Sequence, residues 1–230
     1  MQPNTVIIGI DTSAGKLLVT AEKNGRCVTR RRSGIQQERL LLPVVQKALQ
    51  GVGGTLEEVN RVCLVRGPGR FTGIRIALTF ASMLQQINGA RVYGITLFEL
   101  VQRQVVASAY WGRWKKQHPQ GALGVVLHAF RDEYFLQIFD EKNTQPRWLS
   151  REELLQTVAA YPGPILLAGS DKNGENLTGL FQDKYPLAAE ADCRVRPEFL
   201  RALASEETFA AHALEPLYLK PARFEQVIPA

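Results

Sequence analysis

Short apolar, β-branched runs bounded by turn residues occupy the first 33 residues and give way to a helical period beyond them. Residues 5–10 and 16–22 (KLLVTAE) read as strands, Asn24-Gly25 is a two-residue hairpin signal, and residues 26–32 (RCVTRRR) read as a third strand. A helix is predicted over 36–50, a strand over 61–66, a long helix over 71–87, a strand over 91–95 and a helix over 97–108, giving the order βββαβαβα. Residues 109–120 (AYWGRWKKQHPQ) are polar, with Gly and Pro, and read as a linker or exposed loop. Two strands follow over 122–129 and 132–139, a third around Arg147-Trp148, then a helix over 150–160 and a strand over 164–168. Ser150 with Glu153 three residues on is a capping-box signature for that helix. The second half thus opens as the first does, and the chain divides into residues 1–108, a connector over 109–120, and a reduced second lobe over 121–230.

Two of these helices carry more apolar surface than one sheet can cover. In the helix over 36–50, Leu40, Leu41, Leu42, Val44, Val45, Ala48 and Leu49 spread over about 200°, leaving Gln46, Lys47 and Gln50 as a narrow polar edge. In the helix over 71–87, Ile74, Ile76, Ala77, Leu78, Phe80, Ala81, Met83, Leu84 and Ile87 occupy roughly 220°. Its opposite stripe, Thr72, Arg75, Thr79, Ser82 and Gln86, holds one charge. Gly73, Ala77 and Ala81 recur every four residues, a row along which another backbone can approach. Two destinations suit such arcs: burial between a sheet and a second domain of the same chain, or an interface with another protein. Periodicity does not separate them.

Composition narrows the class. At 230 residues with 45% apolar and 22% charged positions, the chain can bury a core, which excludes a disordered or fibrous protein. A net charge of +6 permits a polyanionic partner without requiring one. Cys27, Cys63 and Cys193 are far apart with no CxxC pair, so neither a disulfide framework nor a cysteine zinc site is expected, and a reducing compartment is. The apolar run before Asp11 is short and lacks a basic leader, and no stretch approaches about 18 apolar residues. A cytoplasmic protein without a membrane span is the expectation.

The candidate chemistry is sparse. Gly67-Pro68-Gly69-Arg70-Phe71-Thr72-Gly73 opens the second helix, where backbone amides favour an anion, yet its spacing matches neither G-x-G-x-x-G nor a P-loop. Asp11-Thr12-Ser13 follows the first strand, where a carboxylate and hydroxyls would suit a metal-nucleotide, or simply a turn. With Gly67 and Gly69, these three residues form a candidate degenerate nucleotide site. The corresponding position of the second half holds His128. His118, His128 and His212 form no HxxxH or HExxH, and no G-x-S-x-G elbow occurs, so no catalytic or metal-binding residue is assigned. Arg30-Arg31-Arg32 reads as a solvated strand end, or as a polyanion contact.

VIIGIDTS at 6–13, QQERLLLPVV at 36–45, VRGPGRFTGIRIAL at 65–78 and the tail EPLYLKPA at 215–222 resemble the TsaB family, also called YeaZ. The resemblance implies an α/β protein of the actin-like ASKHA fold, two lobes each built on a βββαβα unit, the second reduced. It further implies a non-catalytic subunit that binds a TsaD-like protein and, with a TsaE-like ATPase, supports threonylcarbamoyl transfer to adenosine in tRNAs reading ANN codons. ATP and a metal would belong to the partner subunits, with none bound by this chain alone. Alone, the chain would be a homodimer, and tRNA would be met through the complex. On this reading the partner-binding residues are Arg39, Leu41, Leu42, Val45, Leu49, Arg70, Phe71, Thr72, Gly73, Arg75, Ile76, Thr79 and Met83. The sequence departs from the family pattern at Arg70, where Ser is usual, at Gln36-Gln37, and at His128-Ala129-Phe130. Two rival readings are a degenerate ASKHA nucleotide-hydrolysing or phosphoryl-transfer enzyme using Asp11, and direct tRNA binding through Arg30–Arg32 and Lys115-Lys116.

Overall fold

The short apolar runs of the first 33 residues build three strands of a five-stranded sheet: β1 (Val6–Asp11), β2 (Lys16–Lys23) and β3 (Arg26–Ser33). Asn24 and Gly25 both take positive φ, as a two-residue hairpin joining twisted strands requires. The computed structural model describes residues 5–33, 36–141, 144–205 and 214–220. His212 and the Pro221-Ala222 end of the tail motif lie outside the described residues. The chain then forms α1 (Gln37–Val52), β4 (Val59–Val65), α2 (Phe71–Asn88), β5 (Arg91–Ile95), α3 (Leu97–Val106) and α4 (Ala109–Gln117). Next come β6 (Ala122–Phe130), β7 (Glu133–Phe139), β8 (Arg147–Ser150), α5 (Arg151–Ala159) and β9 (Ile165–Ser170). Three short helices complete the order, α6 (Thr178–Phe181), α7 (Glu190–Cys193) and α8 (Pro197–Ser205).

Contacts divide the chain into two units: Met1–Leu97 with Val195–Leu217, and Phe98–Arg194 with Tyr218–Ala230. The first holds the sheet β3-β2-β1-β4-β5, antiparallel across β3, β2 and β1 and parallel from β1 through β4 to β5. Val6, Ile8 and Ile10 of β1 point to the face covered by α1 and α2, where Val44, Val45, Ala48, Leu49, Ile74, Ala77 and Leu84 complete the core. Ile7 and Gly9 point the other way, toward α8. A β-carbon on Gly9 would sit 2.7 Å from Leu200 Cβ and 2.7 Å from Thr20 Cγ2, so the missing side chain is what lets α8 lie on the sheet. Arg201 ties α8 down by pairing with Glu22 at 3.2 Å.

The second unit repeats the topology with one strand fewer. Its sheet runs β8-β7-β6-β9, antiparallel, antiparallel and parallel, the counterpart of β3-β2-β1-β4. Where β5 stands in the first sheet, Leu167 makes a parallel bridge to Leu187, with Leu167 N–H donating to Pro186 O and Ala188 N–H to Leu167 O. The fifth strand is therefore reduced to one bridge. The expected capping box opens α5: Ser150 Oγ accepts from Glu153 N–H, and the Glu153 carboxylate accepts from Ser150 N–H.

The division differs from the one read in the sequence. The expected connector over 109–120 is mostly α4, capped by Ser108, whose hydroxyl accepts from Trp111 N–H. Trp114 is buried, and a β-carbon on Gly121 would meet its ring at 2.4 Å, so an aromatic anchor organises a segment whose Gly, Pro and charges suggest a loop. The boundary after residue 108 moves to Leu97/Phe98, and residues 195–217 rejoin the first unit, because α8 covers the first sheet. Replacing Gly9→Ala should cost about 1–3 kcal/mol by forcing α8 from the sheet. Gly112→Ala, in open space within α4, should instead gain about 0.4–1 kcal/mol; urea denaturation of both variants measures the opposite signs.

Candidate functional site

The turn after β1 and the glycine turn before α2 are packed backbone against backbone. Ser13 O accepts from Arg70 N–H at 2.7 Å, and Thr12 Oγ1 donates to Gly73 O at 2.8 Å. A β-carbon on Gly69 would stand 2.3 Å from Ser13 O, and one on Gly73 2.3 Å from Thr12 O, so no side chain fits at either position. Gln37, the first residue of α1, closes the remaining side by donating from Nε2 to Ala14 O at 3.0 Å. Behind the turn, Leu217 N–H donates to Arg66 O at 2.8 Å, and a β-carbon on Gly67 would meet Leu217 O at 2.6 Å. The glycines thus answer to two neighbouring stretches of the chain's own backbone.

Backbone lies directly against the glycine turn, and the N-cap amide of α2, Arg70 N–H, is donated to Ser13 O. Asp11, Thr12 and Ser13 are buried, and Asp11 Oδ1 accepts from Ser13 N–H at 2.9 Å and Ser13 Oγ–H at 2.6 Å. Burial raises the Asp11 pKa, and the two Ser13 hydrogen bonds offset part of that rise. His128, the second-unit counterpart, is half-buried, with Nε2 2.8 Å from Arg131 O.

A different feature faces solvent. Between α1 and α2 lies a groove of about 430 Å³ lined by Glu38, Leu41, Leu42, Phe71, Thr72, Arg75, Ile76, Thr79, Phe80 and Met83. Leu41 and Phe80 form its buried floor, Ile76 and Met83 are half-buried, and Leu42 and Phe71 stand 41% and 53% exposed. The Arg75 guanidinium lies over the Phe71 ring, 5.1 Å from its centroid. Each large apolar side chain held in water forgoes roughly 1.5–3 kcal/mol of burial, which is the driving force a covering surface would recover.

Of the expected partner-binding residues, Leu41, Leu42, Phe71, Thr72, Arg75, Ile76, Thr79 and Met83 line this groove. Arg39 and Arg70 are exposed, Arg39 one helical turn before Leu42 and Arg70 directly before Phe71. The other three lie elsewhere. Val45 and Leu49 are sealed in the first unit's own core, and Gly73 is spent on the contact with Thr12. Glu38 and Phe80 join the lining unpredicted; Phe80 is legible as the residue four beyond Ile76, whereas Glu38 reads as an ordinary first-turn acid. Arg30, Arg31 and Arg32 are exposed on the edge strand β3. Lys115 donates to Gly121 O in the second unit, beside an exposed Lys116.

A family model described as TsaD, tRNA N6-adenosine threonylcarbamoyltransferase, matches residues 32–110. A protein of Buchnera aphidicola named tRNA threonylcarbamoyladenosine biosynthesis protein TsaB is 29% identical over 114 residues, 49% of this chain and 51% of that protein. The chain thus spans about half the length of that relative. Proteins of the same name from Escherichia coli and Bacillus subtilis are 24% and 22% identical, over 78% and 80% of this chain and 79% and 80% of their own lengths. Among solved structures, YeaZ from Pseudomonas aeruginosa superposes with a TM-score of 0.65 at 22% identity, covering 94% of this chain and all of that one. A Bacteroides thetaiotaomicron protein described as having an actin-like ATPase fold and unknown function gives 0.50 at 8% identity, over 87% and 97% of the two chains. The fold is accordingly actin-like α/β.

Since the folded Asp11 carboxyl holds its proton more tightly than the unfolded one, its contribution to stability is complete below about pH 4 and is lost as pH rises through its higher folded value. The stability of Asp11→Asn relative to the parent should therefore improve steadily as pH is raised from about 4, measured by urea denaturation of both proteins across pH.

Proposed function

We propose that this chain, which belongs to the TsaB (YeaZ) family, works in tRNA threonylcarbamoyladenosine biosynthesis as a docking subunit whose α1–α2 groove is covered by a TsaD-like protein. The observation that carries the reading is the groove itself: apolar side chains from two adjacent helices, left partly in water beside a well-buried core. The segment matching the TsaD family model, residues 32–110, includes both groove helices. A partner of that family would bring a related pair, and helices of like geometry pack ridge into groove.

In this role the chain contributes surface and no nucleophile. The closed Asp11–Ser13 turn supports that assignment, since the polar groups nearest a nucleotide loop are spent on internal bonds. Threonylcarbamoyl transfer to adenosine in tRNAs reading ANN codons would then occur on the TsaD-like partner, with its metal, and ATP would be used by the partner subunits, a TsaE-like ATPase among them. The tRNA would be met through the complex, in the cytoplasm. Among the described residues no helix is long and apolar enough to cross a membrane. When the chain is alone, the same groove is the surface through which two copies would pair.

Phe71→Asp and Met83→Asp should each weaken binding to the TsaD-like protein by at least about tenfold while leaving the chain folded, because both side chains are accessible at the groove. Val106→Asp, exposed in the second unit, is the matched control and should bind as the parent does. Titration calorimetry with circular dichroism of each variant decides: equal affinity for all four proteins would remove the groove from the interface.

A further inference from the structure

Net charge is not shared between the two units: the whole of the chain's +6 falls in the first, and the second is neutral. The densest source is β3, where Arg26, Arg30, Arg31 and Arg32 stand in a strand that contains no acid. β3 is an edge strand, paired with β2 alone, and all four arginines are exposed. Register fixes their directions. Arg30 and Arg32 stand opposite Val19 and Leu17, on the face of the sheet that α1 covers, and Arg31 stands opposite Leu18 on the other face. The edge is thus cationic on both sides. At its end, exposed Lys16 stands opposite Ser33, and the Arg70 guanidinium lies 3.9 Å from where a β-carbon on Gly15 would be.

Neighbouring acids do not answer these charges. Glu22 pairs with Arg201 and Glu58 with Lys23, and among the described residues Lys16, Arg30, Arg31, Arg32 and Arg70 form no ion pair. Arg32 donates to Arg31 O at 3.1 Å, a bond within the strand itself. None of the exposed large apolar side chains belongs to β2 or β3, so the edge has no apolar centre of the kind around which protein interfaces are built. Interfaces with nucleic acid are instead polar and positive. Neither strand carries an aromatic residue on which a base could stack, which leaves the phosphates as the groups to be recognised.

We infer that the β3 edge, through Arg30, Arg31 and Arg32, is a contact site for the ribose-phosphate backbone of RNA, held by charge and without regard to sequence. That the RNA is a tRNA rests on the function proposed above; that this chain touches it directly goes beyond that function.

Fluorescence anisotropy of an end-labelled tRNA transcript, titrated with the full chain alone between about 0.05 and 0.2 M potassium chloride, tests this. The parent should bind, with affinity falling steeply as salt rises. The triple variant Arg30→Gln/Arg31→Gln/Arg32→Gln should bind roughly tenfold or more weakly at the lower salt, and the slope of log affinity against log salt should shrink by about 2. Lysine at the same three positions keeps the charge and should restore most of the binding. Lys115→Gln/Lys116→Gln, in the neutral second unit, should bind as the parent does. A parent that does not bind tRNA at the lower salt, or a glutamine variant that binds equally well, would overturn the inference. So would displacement of the tRNA by polyglutamate as readily as by unlabelled tRNA, which would make the edge a site for acidic protein. If the glutamine variant self-associates while the parent binds no tRNA, the arginines guard the sheet edge instead. The glutamine variant should still bind the TsaD-like protein. Arginine-dependent tRNA binding by a chain that no TsaD-like protein recognises would defeat the docking assignment and uphold this one.

Discussion

Backbone resting directly on backbone, at Gly69 and Gly73 against Thr12 and Ser13, is the contact on which the rest of the first unit depends. It fixes where α2 starts relative to β1, and through Gln37 it also fixes where α1 starts. Both helix origins meet at one turn, and the groove lies between the first turns of α1 and the outer flank of α2. Arg70 N–H, the Thr12 hydroxyl and Asp11 Oδ1 all have internal partners within the same turn.

The energetics favour this division of labour. Burying Asp11 without a countercharge is unfavourable, and two hydrogen bonds from Ser13 only partly compensate, so the turn is retained against an electrostatic cost. The groove carries a cost of the other kind, apolar area kept in water at Leu42 and Phe71. A surface that gains by being covered, beside a turn packed closely on itself, suits a protein that acts through association.

Much of the fold is legible in the sequence because its determinants are local. The Asn24-Gly25 hairpin, the Ser150–Glu153 capping box and the β-branched runs each specify their own few residues, and the repeated βββαβ order follows from their sequence. The apolar arcs of α1 and α2 also announce more surface than the sheet covers, yet they do not say which part stays open. Val45 and Leu49 lie on the same arc as Leu41 and Leu42 and are sealed, because the division depends on where β2, β3 and α2 sit around α1, which is a tertiary matter. The return of α8 to the first sheet is hidden for the same reason: its sign is a missing side chain at Gly9, nearly two hundred residues away. In α4, the burial of Trp114 outweighs the local loop signal of Gly112 and the charges around it.

Hydrogen–deuterium exchange of the chain with and without a TsaD-like protein measures directly whether the α1–α2 groove is the docking surface proposed above. Protection should concentrate in peptides covering residues 38–42 and 71–83, with β6 to β9 exchanging as in the free chain. Unchanged exchange in both groove helices, with protection appearing on the second unit's strands, would contradict it.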